Sequence, residues 1–484
     1  MTLPGWRDWA FSIKTFAAAM LALFLAFWID LPKPYWAVGT VYITSQVLAG
    51  ATRSKAVYRV GGTLLGAVVT VILVPNLVNA PELLTLAIAL WVAICLYFSL
   101  LDRTPRSYLM MLGGYTAALI GFPAVGEPDA IFDTAVARAE EITLGILCAS
   151  LMSSVVLPQS VVPTIAGRLE AWLRDARLWA CDVLGRARAT DAQAKDLPIK
   201  DSQAKRLRLA SDAIAFDALA TPLRYDMTGA ERSAEAMATL RQHMLMFLPI
   251  ASAIADRIET LERARALPGP LRDLLDEMAA WLASGRTDPA EAAQLKARVR
   301  AVDPRLGARP SWNDLVLASL VARLVDFIDL RQDTRLLQRH IAGGTPIAED
   351  LTFRYTAASR TIRHRDRGLA LLSALGVFLS VVLACAIWIA TGWPDGAGAP
   401  MMAAVGCCFF AAQDDPAPFI VNFANSAIVG ALGAGAYLFA ILPLATTFEM
   451  LALALAPGCS SAACSWPSRE RLRWRWARRS TARP

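Results

Sequence analysis

The chain has 484 residues and a formal net charge of +7, with 56% hydrophobic and only 18% charged residues. Soluble proteins usually carry about 25% charged residues, so the composition excludes an ordinary soluble fold for the whole chain. The deficit comes from two nearly uncharged blocks, residues 10–157 and 368–456, on either side of a charged segment. We therefore expect one membrane domain that is interrupted by a soluble insertion.

This pattern predicts an all-α, polytopic membrane protein with two repeated helical membrane blocks separated by an all-helical cytoplasmic domain. The predicted domains are a first membrane block over 1–157, the helical domain over 158–366, a second membrane block over 367–457 and a basic, disordered tail over 458–484. A membrane helix needs about 20 apolar residues. The predicted spans are 12–30, 35–51, 59–76, 82–101, 107–122 and 136–157 in the first block, and 368–391, 399–412, 419–441 and 443–457 in the second.

The connectors between the spans of the first block alternate in charge. Arg53, Lys55 and Arg59 lie between the second and third spans, and Arg103 and Arg106 lie between the fourth and fifth. Basic connectors usually stay in the cytoplasm. We therefore predict a bacterial inner-membrane protein whose amino terminus, basic connectors and central domain are cytoplasmic. The basic tail indicates contact with the lipid bilayer rather than with nucleic acid.

The central block has the spacing of amphipathic helices. Leu240, Met244, Phe247 and Ile250 follow an i, i+3/i+4 rhythm, and no alternating strand pattern of any length occurs between 158 and 365. This periodicity predicts about six helices.

The stretch from Pro34 to Pro75 recurs in the second block. Aligning Ala37 with Ala404 places Gln46 on Gln413 without a gap. An apolar helix pair that is used twice is typical of a duplicated transporter half. The two glutamines are then candidates to face each other and bind substrate, or to hold helices together by hydrogen bonds.

Two glycines of the third span, Gly62 and Gly66, are four residues apart. This spacing lets two membrane helices approach closely, although glycine is also common in membrane helices generally. The repeat alignment matches Gly66 with Gly433.

The sequence shows no motif for catalysis or for a cofactor. The eight cysteines include no C-x-x-C pair, and the three histidines lie in the central block or at its edge. We therefore expect neither a disulfide framework nor a metal site. No Lys-Ser/Thr follows the glycines at 61–66, which excludes a phosphate loop there. We expect no cofactor and no enzymatic activity.

Ionisable residues at membrane depth are costly, so they tend to be paired or functional. Arg138 and Glu141 are three residues apart on one helical face, whereas Glu140 points elsewhere. Arg138 is a candidate anchor for a substrate carboxylate, and Glu141 is a candidate proton-linked partner. The alternative is a structural ion pair at the outer end of the sixth span.

Two further groups are candidates for a role in transport. Asp414 and Asp415 form an acidic connector that would collect protons or gate the inner mouth, or would simply be a solvated loop. Trp36 and Tyr42 begin the second span, where aromatic residues usually anchor a helix at the interface. Their alternative role is stacking on an aromatic substrate.

Four segments resemble the fusaric acid resistance family. They are PYWAV at Pro34–Val38, R-S-K-A-x-x-R at Arg53–Arg59, G-G-T-x-x-G at Gly61–Gly66, and the Arg138-x-x-Glu141-x-x-x-Gly145 pattern. The resemblance covers both membrane blocks and the spacing between them. It implies export of small aromatic carboxylic acids of the fusaric acid or p-hydroxybenzoic acid type, driven by protons. It also implies a periplasmic membrane fusion protein and an outer-membrane channel as partners.

The predicted site combines these candidates. The substrate-binding residues are predicted to be Trp36, Tyr42, Gln46, Arg138, Glu141 and Gln413, and the coupling or gating residues Glu141, Asp414 and Asp415. Two other functions stay open: a gated organic-anion channel, and a non-transporting membrane scaffold that works through its central block. A homo-oligomer is compatible with each of them.

The second block departs from the family pattern. It has four predicted spans where the first block has six, and the residues after Pro457 read as neither a span nor a soluble fold. We expect an early end or a change of reading frame there. A genuine cytoplasmic tail is the alternative.

Overall fold

A computed structural model describes residues 5–102, 106–159, 161–185, 199–216, 219, 223, 231–284, 288–304, 306–343, 351–353, 365–413 and 415–458. Helices dominate these residues, and no strand occurs among them, which confirms the all-α prediction. They form two compact units. The membrane unit comprises the described parts of Met1–Gln159 and Arg363–Arg473, and the helical unit comprises those of Ser160–Ile362. Residues 459–484 of the predicted tail at 458–484 lie outside the described residues.

The membrane unit begins with six helices. They are α1 (Trp6–Trp28), α2 (Tyr35–Thr44), α3 (Ala49–Leu77), α4 (Pro81–Leu101), α5 (Ser107–Gly121) and α6 (Ile131–Val155). The helical unit follows with α7 (Val161–Gly185), α8 (Ile199–Ala215), α9 (Glu231–Arg263), α10 (Gly269–Ser284), α11 (Pro289–Ala301) and α12 (Trp312–Gly343). The chain then returns to the membrane unit with α13 (Arg367–Thr391), α14 (Gly398–Phe410), α15 (Ala417–Ala436) and α16 (Phe448–Gly458).

Six of the described helical segments are long and apolar enough to cross a membrane. They are Trp6–Trp28, Ala49–Leu77, Pro81–Leu101, Ser107–Gly126, Arg367–Thr391 and Ala417–Leu444. The other four predicted spans do not meet these criteria. Helices α2, α14 and α16 are too short, and α6 carries three charged residues near its middle.

The predicted second span, 35–51, is wrong in its bounds because the helix breaks inside it. Helix α2 ends at Thr44, and α3 begins only at Ala49. The Thr52 hydroxyl stabilises this break, since it accepts a hydrogen bond from the Gln46 backbone N–H at 3.0 Å. A side chain therefore replaces the backbone partner that a continuous helix would supply.

The predicted basic connector after this span is also wrong, because its residues are helical. Arg53, Lys55 and Arg59 all belong to α3, which is 29 residues long. Arginine and lysine are good helix formers, so a cluster of them does not by itself indicate a turn. Arg59 follows the first residue of α3 by ten positions, which places it about 15 Å along the helix axis.

The close approach expected from Gly62 and Gly66 is confirmed between α3 and α5. A Cβ atom at Gly62 would lie 2.7 Å from the Leu109 carbonyl oxygen, and one at Gly66 would lie 2.6 Å from the Thr116 Cβ. Both distances are too short for non-bonded atoms. The two glycines therefore set the separation of α3 and α5.

We predict that Gly66→Ala destabilises the membrane unit by about 1–3 kcal/mol, because the methyl group overpacks this contact. Gly433→Ala is the matched control, since a Cβ at Gly433 meets nothing within 4 Å. Thermal unfolding of the purified variants in one detergent measures the difference. Equal unfolding temperatures for the two variants would contradict the close packing.

The proposed repeat stays a prediction. Each block contains a short apolar helix followed by a long one, and Gln46 and Gln413 both lie in the break between the two. The packing of the matched glycines differs, however, because Gly66 contacts α5 whereas Gly433 has open space around it.

Phe247 of α9 is partly buried and contacts two other helices of the helical unit. Its ring packs against Trp172 and Trp179 of α7 at 5.5 and 5.8 Å between centroids, and against Phe327 of α12 at 5.6 Å. The predicted amphipathic spacing correctly placed Leu240, Met244 and Ile250 in a core, since all three are buried.

Asp333 of α12 is buried and joins three parts of the helical unit. Its Oδ1 accepts hydrogen bonds from the backbone N–H and the hydroxyl of Thr352, at 3.1 and 3.0 Å, and its Oδ2 accepts one from the Phe353 N–H at 2.6 Å. His243 Nε2 of α9 lies 3.5 Å from the same Oδ2. The carboxylate therefore holds residues 351–353 against α9 and α12.

Burial alone would raise the pKa of Asp333, but hydrogen bonds from His243, Phe353 and Thr352 outweigh burial and lower it. A lowered pKa means that the ionised group stabilises the fold fully above the unfolded value of about 3.9. That contribution is lost as the pH falls through the native pKa.

We predict that Asp333→Asn costs about 2–3 kcal/mol at neutral pH, because hydrogen bonds to a charged acceptor are replaced by weaker ones. The variant should also lose part of the acid sensitivity of the helical unit. Thermal unfolding of the full chain at pH 7 and pH 3, with the exposed Asp273→Asn as control, measures both effects. Identical behaviour of the two variants would contradict this role.

A buried arginine cluster as a candidate anion site

A polar cluster lies where α2, α3, α5 and α6 pack together. We call it the arginine cluster, and its members are Trp36, Thr40, Arg59, Tyr108, Tyr115, Arg138 and Glu141. Gly145 permits this packing, since a Cβ there would lie only 2.5 Å from the Ala37 carbonyl oxygen. Helix α6 can therefore approach α2 closely enough to bring its charged side chains to the α2 surface.

Arg59 is 4% exposed, although it is a charged residue of an apolar helix. Its Nη1 donates to the Tyr108 hydroxyl at 3.0 Å, and its Nη2 donates to the Thr40 hydroxyl at 3.4 Å. Its Nε has no hydrogen-bond partner among the described residues. The guanidinium is thus held by neutral groups and keeps a donor free.

Arg138 is 6% exposed and stacks on an aromatic ring. Its guanidinium carbon lies 4.6 Å from the centroid of Trp36, within the range of a cation–π contact. Its Nε also lacks a hydrogen-bond partner in the described part of the chain. Arg138 is close enough to Arg59 for the two positive charges to interact.

Glu141 is fully buried one turn after Arg138. Its Oε1 accepts a hydrogen bond from the Lys33 backbone N–H at 2.5 Å, whereas its Oε2 has no partner among the described groups. The described side chains of Arg138 and Glu141 do not form a direct ion pair. The predicted structural ion pair at the outer end of the helix is therefore wrong, because Glu141 turns toward the start of α2.

Tyr115 links the cluster to the second membrane block. It hydrogen-bonds with Tyr108 and interacts electrostatically with both arginines. On its other side, its ring lies 5.5 Å from that of Phe409 in α14. Tyr115 therefore contacts both the arginine cluster and α14.

The charges of this cluster do not balance. Two buried guanidinium groups face one carboxylate, which interacts electrostatically with Arg138 but forms no direct ion pair with either arginine. A buried charge without a counter-ion is expensive, and an anion that reached both arginines would remove that cost. Each free Nε donor belongs to a planar guanidinium group, whose geometry suits a carboxylate. The arrangement is therefore suited to binding a carboxylate.

The structure brings together three of the predicted site residues, Trp36, Arg138 and Glu141. Tyr42 instead packs with the apolar core between α1, α2 and α6. Gln46 lies at the break after α2, beside Lys14 and Ser153.

Two of the remaining predicted residues, Gln413 and Asp415, lie between α14 and α15. Gln413 follows the end of α14, and exposed Asp415 accepts a hydrogen bond from the Ala417 N–H at 3.3 Å. Asp414 lies outside the described residues. The pairing of Gln46 with Gln413 and a gating role for the acidic connector stay predictions.

Sequence reasoning missed Arg59, Thr40, Tyr108 and Tyr115 as site residues. Thr40 lies one turn after Trp36, and Tyr108 and Tyr115 are seven residues apart on α5. This helical spacing places each pair on one helix face, and it could have indicated these residues. Among the described residues, no three His, Cys, Asp or Glu side chains come together as metal ligands.

Several helices long and apolar enough to cross a membrane, packed in one unit, define a class: multi-pass membrane proteins. Within this class, the chain belongs to the fusaric acid resistance protein family, whose model matches residues 8–467. The resemblance found in the sequence is therefore confirmed.

Two relatives illustrate the family. The chain is 27% identical over 475 residues to a p-hydroxybenzoic acid efflux pump subunit AaeB of Edwardsiella ictaluri, covering 95% of this chain and 68% of that relative. It is 28% identical over 421 residues to the uncharacterized transporter YdhK of Escherichia coli strain K12, covering 86% of this chain and 59% of that relative. The chain is thus a membrane efflux transporter rather than an enzyme. The family and the apolar helices indicate a multi-pass protein of the inner membrane.

Proposed function

We propose that the chain exports small aromatic carboxylic acids of the p-hydroxybenzoate type, and that the arginine cluster is its substrate site. The observation that carries this proposal is the pair of buried arginines whose Nε donors lack partners. The AaeB relative is named as a p-hydroxybenzoic acid efflux pump subunit, which supports the same substrate class.

In this proposal the substrate carboxylate binds between Arg59 and Arg138. Charge-assisted hydrogen bonds to arginine are among the stronger ones in proteins. The ring of Trp36, which Arg138 already contacts, packs against the aromatic part of the substrate. Tyr108 and Tyr115 supply hydroxyl groups that can recognise a phenol.

Glu141 is the proposed coupling residue. Its Oε2 is buried and lacks a partner, so a proton can be held there without breaking a hydrogen bond. An ionised Glu141 and a substrate carboxylate are like charges near Arg138, so each disfavours the presence of the other. Occupancy of the site and protonation of Glu141 are therefore linked, which allows the proton gradient to drive export.

The partners and orientation follow the same reasoning. A relative that is named as a pump subunit works with other proteins, and the resemblance suggests a periplasmic membrane fusion protein and an outer-membrane channel. We propose that the amino terminus and the helical unit are cytoplasmic, because the basic residues Arg53, Lys55 and Arg106 lie near one end of their helices.

Transport by membrane vesicles tests the proposal. Inside-out vesicles that contain the full chain should accumulate labelled 4-hydroxybenzoate when an inward-acidic pH gradient is imposed. Benzyl alcohol, which has a ring but no carboxylate, should not be accumulated. Accumulation that is unaffected by collapsing the pH gradient would overturn proton coupling, and its absence in all conditions would overturn export.

A gated organic-anion channel is the second candidate. The excess positive charge of the arginine cluster favours it too, because anion pores are also lined by cationic side chains. Electrical recording in a planar bilayer separates the two functions. Large currents that follow the 4-hydroxybenzoate gradient without any pH dependence would identify a channel.

A further inference from the structure

A cavity lies in the membrane unit, away from the arginine cluster. Its volume is about 300 Å³, and its walls come from the start of α4, the end of α5 and the end of α13. We call it the ring pocket, and the residues used below are Leu84, Phe122, Trp388 and Trp393.

The aromatic wall of the ring pocket is fixed in place. The Trp388 indole N–H donates to the Trp393 carbonyl oxygen at 2.8 Å. The Phe122 ring meets Trp388 edge to face, with 6.5 Å between centroids and 85° between planes. These contacts hold the Trp388 indole without any ligand.

Two glycines shape the turn that carries Trp393 to the pocket. Gly392 ends α13 with a φ of 59°, a left-handed conformation that glycine adopts without steric cost. Gly396 lies so close to the Trp388 indole that an added Cβ would overlap it, at 2.0 Å from Cδ1. A larger residue at either position would displace part of the aromatic wall.

The residues that line the ring pocket favour a ligand with an uncharged aromatic ring. None of the described residues that line the ring pocket is charged, and most of them are apolar or aromatic. The exposed carboxylates Glu82 and Asp395 directly adjoin lining residues in the sequence, so they disfavour an approaching anion. An apolar cavity of about 150 Å³ is sufficient for benzene. The ring pocket therefore has room for one substituted aromatic ring.

We infer that the ring pocket is a second binding site, which takes a single uncharged aromatic ring such as that of a phenol. Its contacts are edge-to-face or offset packing on Trp388, Trp393 and Phe122. This site does not depend on the proposed transport function, because it shares no residue with the arginine cluster.

Fluorine NMR of 4-fluorophenol with the full chain in lipid nanodiscs tests this inference. Trp393→Ala removes one exposed wall, and Leu84→Trp fills the cavity. Each should weaken 4-fluorophenol binding by about three- to tenfold, the equivalent of one lost aromatic contact. Trp28→Ala, which removes an exposed tryptophan at the end of α1, should leave binding unchanged.

Two outcomes would overturn the inference. The first is unchanged 4-fluorophenol binding in both pocket variants, which are also checked for wild-type unfolding temperatures. The second is displacement of 4-fluorophenol by methyl decanoate, since that would assign the ring pocket to acyl chains. Binding of 4-fluorobenzoate should be insensitive to Trp393→Ala, and an equal loss for this anion would also contradict the selection of uncharged rings.

Discussion

Arg59→Gln and Arg138→Gln should each lower the export of 4-hydroxybenzoate by about 100-fold or more in the vesicle assay. Each arginine is buried, and each is expected to meet the substrate carboxylate with its free donor. A lost charge-assisted hydrogen bond of about 3 kcal/mol corresponds to slightly more than two powers of ten. Arg59→Lys should be intermediate, because it keeps the charge but loses the planar fork.

The same variants separate a substrate site from a structural role. Removing a buried, unbalanced charge relieves its desolvation cost, so we expect unfolding temperatures equal to or above that of the wild type. Arg53→Gln is the matched control: Arg53 lies six residues earlier on α3, is partly exposed and donates to the Ser154 hydroxyl at 2.8 Å. A clearly lower unfolding temperature together with lost transport would indicate that the arginines only support the fold.

Glu141→Gln should abolish uphill export while leaving exchange of substrate between the two sides. The amide cannot load or release a proton, yet it can still accept the hydrogen bond from the Lys33 N–H. We expect the effect of an imposed pH gradient on accumulation to fall at least tenfold, as is typical when a positioned proton-transfer group is removed. Labelled-substrate counterflow should stay within about twofold of wild type, since a carboxylate-to-amide change leaves the arginines in place.

Glu140→Gln is the control for this variant. Glu140 is the adjacent residue of α6, but it is exposed whereas Glu141 is fully buried. It should retain the response to the pH gradient. If Glu140→Gln and Glu141→Gln behave alike, or if Glu141→Gln still accumulates substrate uphill, Glu141 is not the coupling residue.

The class of fold and the family could be predicted from the sequence because both depend on features spread over many residues. Long apolar runs around a charged central block predict membrane helices and a helical insertion whatever the local details. Trp36, Arg138 and Glu141 could also be identified, since polar and aromatic groups stand out against an apolar background. Their meeting at one site follows from the packing of α2 on α6 at Gly145.

Arg59 shows why the rest of the site could not be predicted. In the sequence it ends a basic segment, which usually indicates a connector on the cytoplasmic side. Helix α3 instead runs through that segment, and the packing of Gly62 and Gly66 on α5 draws Arg59 inward to Tyr108. The inward position of Arg59 depends on contacts between helices that are distant in the sequence, and a charge pattern does not show such contacts.

Tyr42 and Arg138 illustrate a second limit. Tyr42 has the same chemistry as the cluster tyrosines, but its position on α2 turns it toward an apolar core. Arg138 and Glu141 have the correct spacing for an ion pair, yet Glu141 binds the Lys33 N–H and Arg138 stacks on Trp36. Spacing places side chains on one face, but neighbouring helices decide which partner each side chain meets.

Equilibrium binding of 4-hydroxybenzoate and of its methyl ester most directly tests whether the buried arginines recognise a carboxylate. The purified chain is used in nanodiscs as the Trp393→Ala variant, so that the ring pocket contributes little. We predict that the acid binds at least tenfold more tightly than the ester, as expected for a charged partner of arginine, and that Arg59→Gln with Arg138→Gln abolishes this preference. Equal binding of acid and ester, or a preference that survives both substitutions, would contradict the account.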